Sequence, residues 1–219
     1  MQPRKKILVV NPNSNDVVTR NLAAALQPVM LEGGPEIECV TLAEGPFGVE
    51  TQADVDGVAM PLRRLVAADN SADAYIIACY SDPGLHVCRE ATQRPVFGIA
   101  EAGVLTALAR ADRFGVIAVA QRSIGRHMRY LRQMGLMDRL AGERPLNMTV
   151  AETASGEDTL ARMIKVGREL KDEDGAGAIV MGCAGMARHR RGLEDALGIP
   201  VIDPTQAAVA MAIGTVMFQ

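Results

Sequence analysis

Short apolar runs alternate with segments of helical spacing along almost the whole chain. The runs at about 6–10, 37–42, 74–78, 96–99, 114–119, 146–150, 177–181 and 200–202 are too short for helices and rich in Val and Ile, which predicts buried parallel strands. Between them apolar residues recur at helical intervals, as in Val17, Leu22 and Leu26, and again in Leu160, Met163, Ile164, Gly167 and Leu170. Alternation of this kind predicts an α/β protein, because a parallel crossover needs a connecting helix and that helix covers the sheet. Pro61 is expected at the start of its helix or at a kink, since an interior proline removes a backbone hydrogen bond.

Two of the runs end alike. Ala74–Ala78 leads into Cys79 and Ala178–Gly182 leads into Cys183, 104 positions further on (79 to 183), and each cysteine is followed by turn-forming residues and a predicted helix. Downstream, Pro95-Val96-Phe97-Gly98 matches Pro200-Val201-Ile202-Asp203, again as proline, short strand, helix start. Upstream, Lys6–Val10 running into Asn11-Pro12-Asn13-Ser14 matches Phe114–Val119 running into Gln121-Arg122-Ser123. The near-constant offset reads as one ancestral half, duplicated. Eight strands in two equivalent sets give two pseudo-symmetric Rossmann-like lobes, each a roughly four-stranded parallel sheet flanked by helices. Ligands of open parallel sheets bind beyond the carboxyl ends of the strands, where Asn13, Cys79, Ser123 and Cys183 all fall.

Composition narrows the function. The 219 residues can bury a sizeable core, and 48% hydrophobic with 22% charged residues is ordinary for a globular protein. A net charge of −3 invites neither nucleic acid nor an anionic membrane. The basic cluster Arg4-Lys5-Lys6 precedes an apolar run too short for a signal-peptide core or a bilayer span. The expectation is a cytoplasmic protein whose four cysteines stay reduced.

Two thiols in matching surroundings at strand ends suggest a two-base acid/base enzyme, and a helix start beside each would ease loss of its proton. A lone cysteine after a strand is more often a small core residue, and Cys39 and Cys88 read that way. His86 near Cys88 lacks the ligand spacing of a zinc site, so no metal is expected. No glycine-rich phosphate-binding loop is present, and no cofactor is expected. The basic stretch Arg188-His189-Arg190-Arg191 reads as a solvated helix face, and the twelve methionines as core filler.

The ordered set Asn11-Pro12-Asn13-Ser14-Asn15, Ala78-Cys79-Tyr80-Ser81-Asp82-Pro83-Gly84-Leu85, Pro95–Ala102 and Met181-Gly182-Cys183-Ala184-Gly185-Met186-Ala187 resembles the aspartate/glutamate/hydantoin racemase superfamily, within it the hydantoin and allantoin racemases. The resemblance runs from residue 7 to about 207. It implies a cofactor-independent racemase with its active site between the lobes, a small cyclic substrate, and a homo-oligomer. It also implies that the last helix packs back on the first lobe, giving lobes of 1–99 with 205–219 and of 100–204.

On that reading Cys79 and Cys183 are opposed acid/base residues working on the two faces of a stereocentre. Amides after each cysteine, at Ser81 and at Ala184-Gly185, would form an anion cradle, and Asn13 and Ser123 would orient ring groups from opposite walls. Ser14 and Tyr80 are further candidates, and Phe47 and Val49 are expected to line the pocket for the substituent. Glutamate racemases resemble Cys-Asn-Thr and Gly-Cys-Thr-His at these places. The Cys79-Tyr80-Ser81 and Cys183-Ala184-Gly185 found here point instead to a less charged cyclic substrate. Arylmalonate decarboxylases resemble the fold but keep only the second cysteine. An aspartate/glutamate-type racemase, a maleate-type isomerase and a two-lobed metabolite-binding protein without catalysis are the alternatives.

Overall fold

The computed structural model describes residues 4–218. In chain order the first half runs β1 (Lys6–Asn11), α1 (Asp16–Leu26), β2 (Glu36–Thr41), α2 (Gln52–Ala68), β3 (Ala74–Ile77), α3 (Leu85–Ala91), β4 (Val96–Gly98) and α4 (Ile99–Leu108). The second half runs β5 (Phe114–Ala118), α5 (Gln121–Gln133), β6 (Leu140–Pro145), α6 (Val150–Ser155), α7 (Thr159–Asp172), β7 (Ala178–Gly182), α8 (Arg190–Leu197), β8 (Val201–Ile202) and α9 (Pro204–Met217). A 3-10 segment, Ala184–His189, lies between β7 and α8.

The strands form two parallel sheets of equivalent order, β2-β1-β3-β4 and β6-β5-β7-β8. In each, the first and third strands of the half lie at the centre and their residues are nearly all buried, as the continuous apolar runs require. Their carboxyl ends, at Asn11, Ile77, Ala118 and Gly182, are where each half carries its polar loops.

The connecting helices bury one stripe each. In α1 that stripe is Val18, Leu22 and Leu26, so it is Val18 rather than Val17 that meets the sheet. In α2 it is Val55, Val58, Leu62 and Val66, and Pro61 lies inside this helix rather than at its start. Four large side chains buried against the sheet outweigh the roughly 3 kcal/mol penalty of an interior proline.

The sixth strand is not the apolar run 146–150 but the preceding Leu140–Pro145, Leu-Ala-Gly-Glu-Arg-Pro. Among the described residues it pairs only with β5, and as an edge strand it can carry charge and a proline. Arg144 there is held by Glu169, Glu173 and Asp174. Leu146 and Met148 are buried in the connection to α6 instead.

The two halves exchange helices. The helix α4, which follows β4 of the first sheet, packs against β7 of the second, and α9, which follows β8 of the second, packs against β3 and β1 of the first. α4 and α9 also pack on each other, so one apolar cluster runs through both halves. Among the described residues no helix is long and apolar enough to cross a membrane. Residues 1–3 and 219, assigned from sequence to the first lobe, lie outside the described residues.

Candidate active site

The ends of the central strands meet at a cleft whose walls come from both halves. Cys79, two residues past β3, and Cys183, immediately past β7, both line it. Cys183 is 8% exposed, while Cys79 is half-buried. The sequence predicts turn-forming residues and then a helix after each cysteine, with the helix start beside the sulfur. It occurs at Cys183, which caps the 3-10 segment by accepting a hydrogen bond from the Gly185 N–H at 3.3 Å. Cys79 is followed instead by a turn in which Asp82 and Gly84 have positive φ, 42° and 67°, and α3 starts only at Leu85. Left-handed residues at 82 and 84 prevent a helix from starting at the cysteine.

Of the other residues singled out from sequence, Asn13, Val49, Tyr80, Ser81, Ser123, Ala184 and Gly185 line the same cleft. Asn13 Oδ1 accepts from Asn11 Nδ2 and from the Asn15 N–H, both at 3.0 Å, which leaves the Asn13 amide nitrogen for the cavity. Ser123 donates its hydroxyl to the Ala120 carbonyl at 2.8 Å, so only its lone pairs are free to meet a ligand. The amides expected to cradle an anion are aimed at sulfur instead, Gly185 N–H at Cys183 and Ser81 N–H at Cys79. Phe47 and Ser14 are not among the lining residues. Phe47 is 65% exposed at the tip of its loop, because the Ser14 N–H holds the neighbouring Pro46 carbonyl at 2.9 Å and turns the tip outward. Cys88 is fully buried and Cys39 half-buried, both packed in the core as expected.

Sequence reading missed the charged rim. Arg122, Arg126 and His127 come from α5 and Glu50 from the loop before α2. Arg126 Nε donates to Ser81 Oγ at 3.0 Å, and Arg122 pairs with Glu50, whose other oxygen accepts the Val150 N–H at 3.0 Å. These bonds tie α5 and α6 of the second half to loops of the first. His127 Nδ1 sits 2.5 Å from Glu143 Oε1, a carboxylate with no exposed side-chain surface, and its ring meets Tyr80 edge-on at 5.1 Å. Helical spacing held the missing signal, since placing Ser123 at the cleft brings residues 126 and 127, one turn on, to the same face.

Burial dominates the thiols. It pushes Cys79 up to about 12, with the Ser81 amide and Arg126 pulling the other way and Cys183 and Asp82 adding to the rise. Burial also raises Cys183, against the Gly185 amide, the Thr153 hydroxyl and the Met186 amide, with Glu50 opposing them. Both sulfurs therefore favour the protonated form, and donors close to each sulfur set which one ionises more easily.

A family model described as Asp/Glu/Hydantoin racemase matches residues 7–212. A hydantoin racemase of Paenarthrobacter aurescens is 38% identical over 212 residues, covering 94% of this chain and 89% of its own length. An allantoin racemase structure from Klebsiella pneumoniae superposes with a TM-score of 0.91 at 32% identity, covering 98% of this chain and 88% of that one. Another, from Pseudomonas fluorescens, does so with a TM-score of 0.90 at 31% identity, covering 97% and 91%.

Proposed function

The chain belongs to the Asp/Glu/hydantoin racemase family, and we propose that it racemises 5-substituted hydantoins, allantoin included, with Cys79 and Cys183 as the two acid/base groups. The observation that carries this reading is the placement of two thiols, one from each equivalent sheet, on the walls of a single cleft. Inversion at a carbon beside a carbonyl needs a proton removed from one face and a proton supplied to the other. One sulfur, as thiolate, takes the C5 proton and becomes a thiol. The ring passes through a planar enolate, and the opposite thiol gives its proton to the other face, becoming the thiolate.

The walls suit a compact, mostly uncharged ring. Val18, Val49, Val119 and Val150 supply apolar contact, while the Asn13 amide and the lone pairs of Ser123 offer one donor and one acceptor site to ring C=O and N–H groups. We also propose that the exchange of α4 and α9 marks the lobes as 1–99 with 205–219 and as 100–204, with the cleft between them.

The test is a panel of single-enantiomer hydantoins and allantoin in deuterated water. Loss of optical rotation should accompany deuterium at C5 of the product enantiomer, at initial rates well above the uncatalysed exchange. Binding without exchange would identify a non-catalytic receptor, and turnover of aspartate or glutamate alone would reject the cyclic substrate.

Activity should also depend on pH in one direction. Turnover requires one thiolate, and both thiols are raised above their ordinary range, so the active fraction grows as pH rises. kcat/KM is expected to climb by up to about tenfold per unit from pH 7 to pH 9, the slope of a single deprotonation. A profile that is flat or falling over that interval would reject the neutral-thiol resting state.

A further inference from the structure

Thr153 does not line the cleft but lies behind it, fully buried on α6. Its Oγ1 is 2.7 Å from the Val150 carbonyl oxygen and 3.7 Å from Cys183 Sγ. A hydroxyl has one proton and two lone pairs, so it cannot donate to both at once. While it donates to the carbonyl, a lone pair faces the sulfur and can accept an S–H. Once the sulfur has lost its proton, the hydroxyl can turn and donate to it. Gly185 makes the arrangement possible, because a Cβ at that position would lie 2.9 Å from Thr153 Oγ1. Any side chain there would push the hydroxyl away from the sulfur that the Gly185 amide also serves.

We propose that Thr153 is a positioning residue for Cys183, its hydroxyl turning between the Val150 carbonyl and the sulfur as the thiol loses and regains its proton, and that it makes Cys183 the first of the pair to ionise. This rests on the two-thiol reading of the cleft. Once Cys183 has ionised, it takes the C5 proton and Cys79 supplies one to the opposite face. After turnover the Cys183 S–H donates to Thr153, and Cys79, now the thiolate, faces Arg126.

Donors on the two sides differ in kind. Cys183 has the Gly185 amide at 3.3 Å and the hydroxyl at 3.7 Å, and the charge facing it is Glu50, engaged by Arg122 and the Val150 amide. Other charged groups on the packed elements are directed elsewhere. Glu152 of α6 bonds Thr149, Arg188 bonds the Gly156 carbonyl and His189, and Asp16 and Arg20 of α1 are exposed. Cys79 has the Ser81 amide, with Arg126 and Asp82 facing it with opposite charges.

The experiment follows alkylation of each cysteine by iodoacetamide from pH 7 to pH 10, resolved by mass spectrometry, in the parent, Thr153→Val, Thr153→Ala and Thr153→Ser. Comparing each cysteine with itself across variants removes differences in access. The parent should show Cys183 ionising at lower pH than Cys79. Thr153→Val and Thr153→Ala should slow Cys183 labelling about tenfold at a given pH below its midpoint, corresponding to an upward shift of about one unit. Cys79 should keep its rate, and Thr153→Ser should stay within about twofold of the parent at both sites. Cys79 ionising first in the parent, unchanged Cys183 labelling in Thr153→Val, or equal slowing of both cysteines would each overturn the proposal. No substrate is needed, so a protein that fails to racemise hydantoins still answers the question.

Discussion

Replacing either Cys79 or Cys183 with alanine is expected to lower kcat/KM for racemisation by about 10² to 10⁴-fold, the scale of a lost acid/base group. Neither sulfur has a substitute on its own side. Besides Cys183, the ionisable side chains whose charge bears on Cys79 are Asp82, which is bonded to the amides of α4, and Arg126, which stays protonated. On the far wall Glu50 is committed to Arg122 and the Val150 amide.

Thermodynamics constrains how the loss shows itself. Two enantiomers have equal free energy in water, so kcat/KM must be the same in both directions for every variant, however lopsided the site. The asymmetry appears instead in hydrogen exchange. A variant with one thiol should exchange the C5 hydrogen of a single enantiomer with solvent, from the face the remaining sulfur addresses, and return it uninverted. The two alanine variants should choose opposite enantiomers. Near-parental racemisation in either one would reject the two-thiol mechanism, and exchange of the same enantiomer by both would place the sulfurs on one face.

Asp82→Ala is expected to destabilise the protein by about 2–4 kcal/mol and to lower kcat as well, because this carboxylate fixes the turn that carries Cys79. One of its oxygens accepts the Ala100 N–H and the other the Glu101 N–H, both at 2.9 Å, so it caps α4 from another segment. The equivalent helix α9 is capped by its own Asp203, which accepts from Thr205 and Gln206. The first half has Gly98 at the corresponding place, and a Cβ there would collide with the Asp82 carboxyl group. Gly98→Ala should therefore reproduce much of the Asp82→Ala effect without touching Asp82.

Burial pushes Asp82 up to about 7, against the pull of the two amides. With the folded-state value above the unfolded one, its contribution is complete below about pH 4 and declines as pH rises through 7, at most about 1.4 kcal/mol per unit. Urea unfolding at pH 5, 7 and 9 should then show the advantage of the parent over Asp82→Asn shrinking toward alkaline pH. An advantage that stays constant from pH 5 to pH 9 would show that the carboxyl is ionised throughout, because an unfolded Asp is ionised over the same range.

The architecture was legible because the central strands are buried on both faces and so stand out as apolar runs. Ile7–Val10, Ala74–Ile77, Phe114–Ala118 and Ala178–Gly182 could be nothing else once their spacing repeated. β6 escaped because an edge strand with one partner obeys no such rule. Residues 146–150 have the apolar pattern of a strand because Leu146 and Met148 pack in the core and Val150 lines the cleft. Cysteines at strand ends were visible for the same geometric reason. Glu50 and Thr153 are not, because what places them near the sulfurs is the meeting of separate helices and loops, which no single stretch of sequence displays, while Arg126 follows only once Ser123 is set at the cleft.

The helix exchange between the halves bears on how the chain is made. α9 covers β1 and β3 yet follows every other element, so on the ribosome the first sheet must wait, with an apolar face uncovered, until the second has been synthesised. The first half should therefore be a poor candidate for folding as it emerges. Stalled chains that stop short of residue 204 should be bound by chaperones and cut readily by protease, although every strand of both sheets has already been translated.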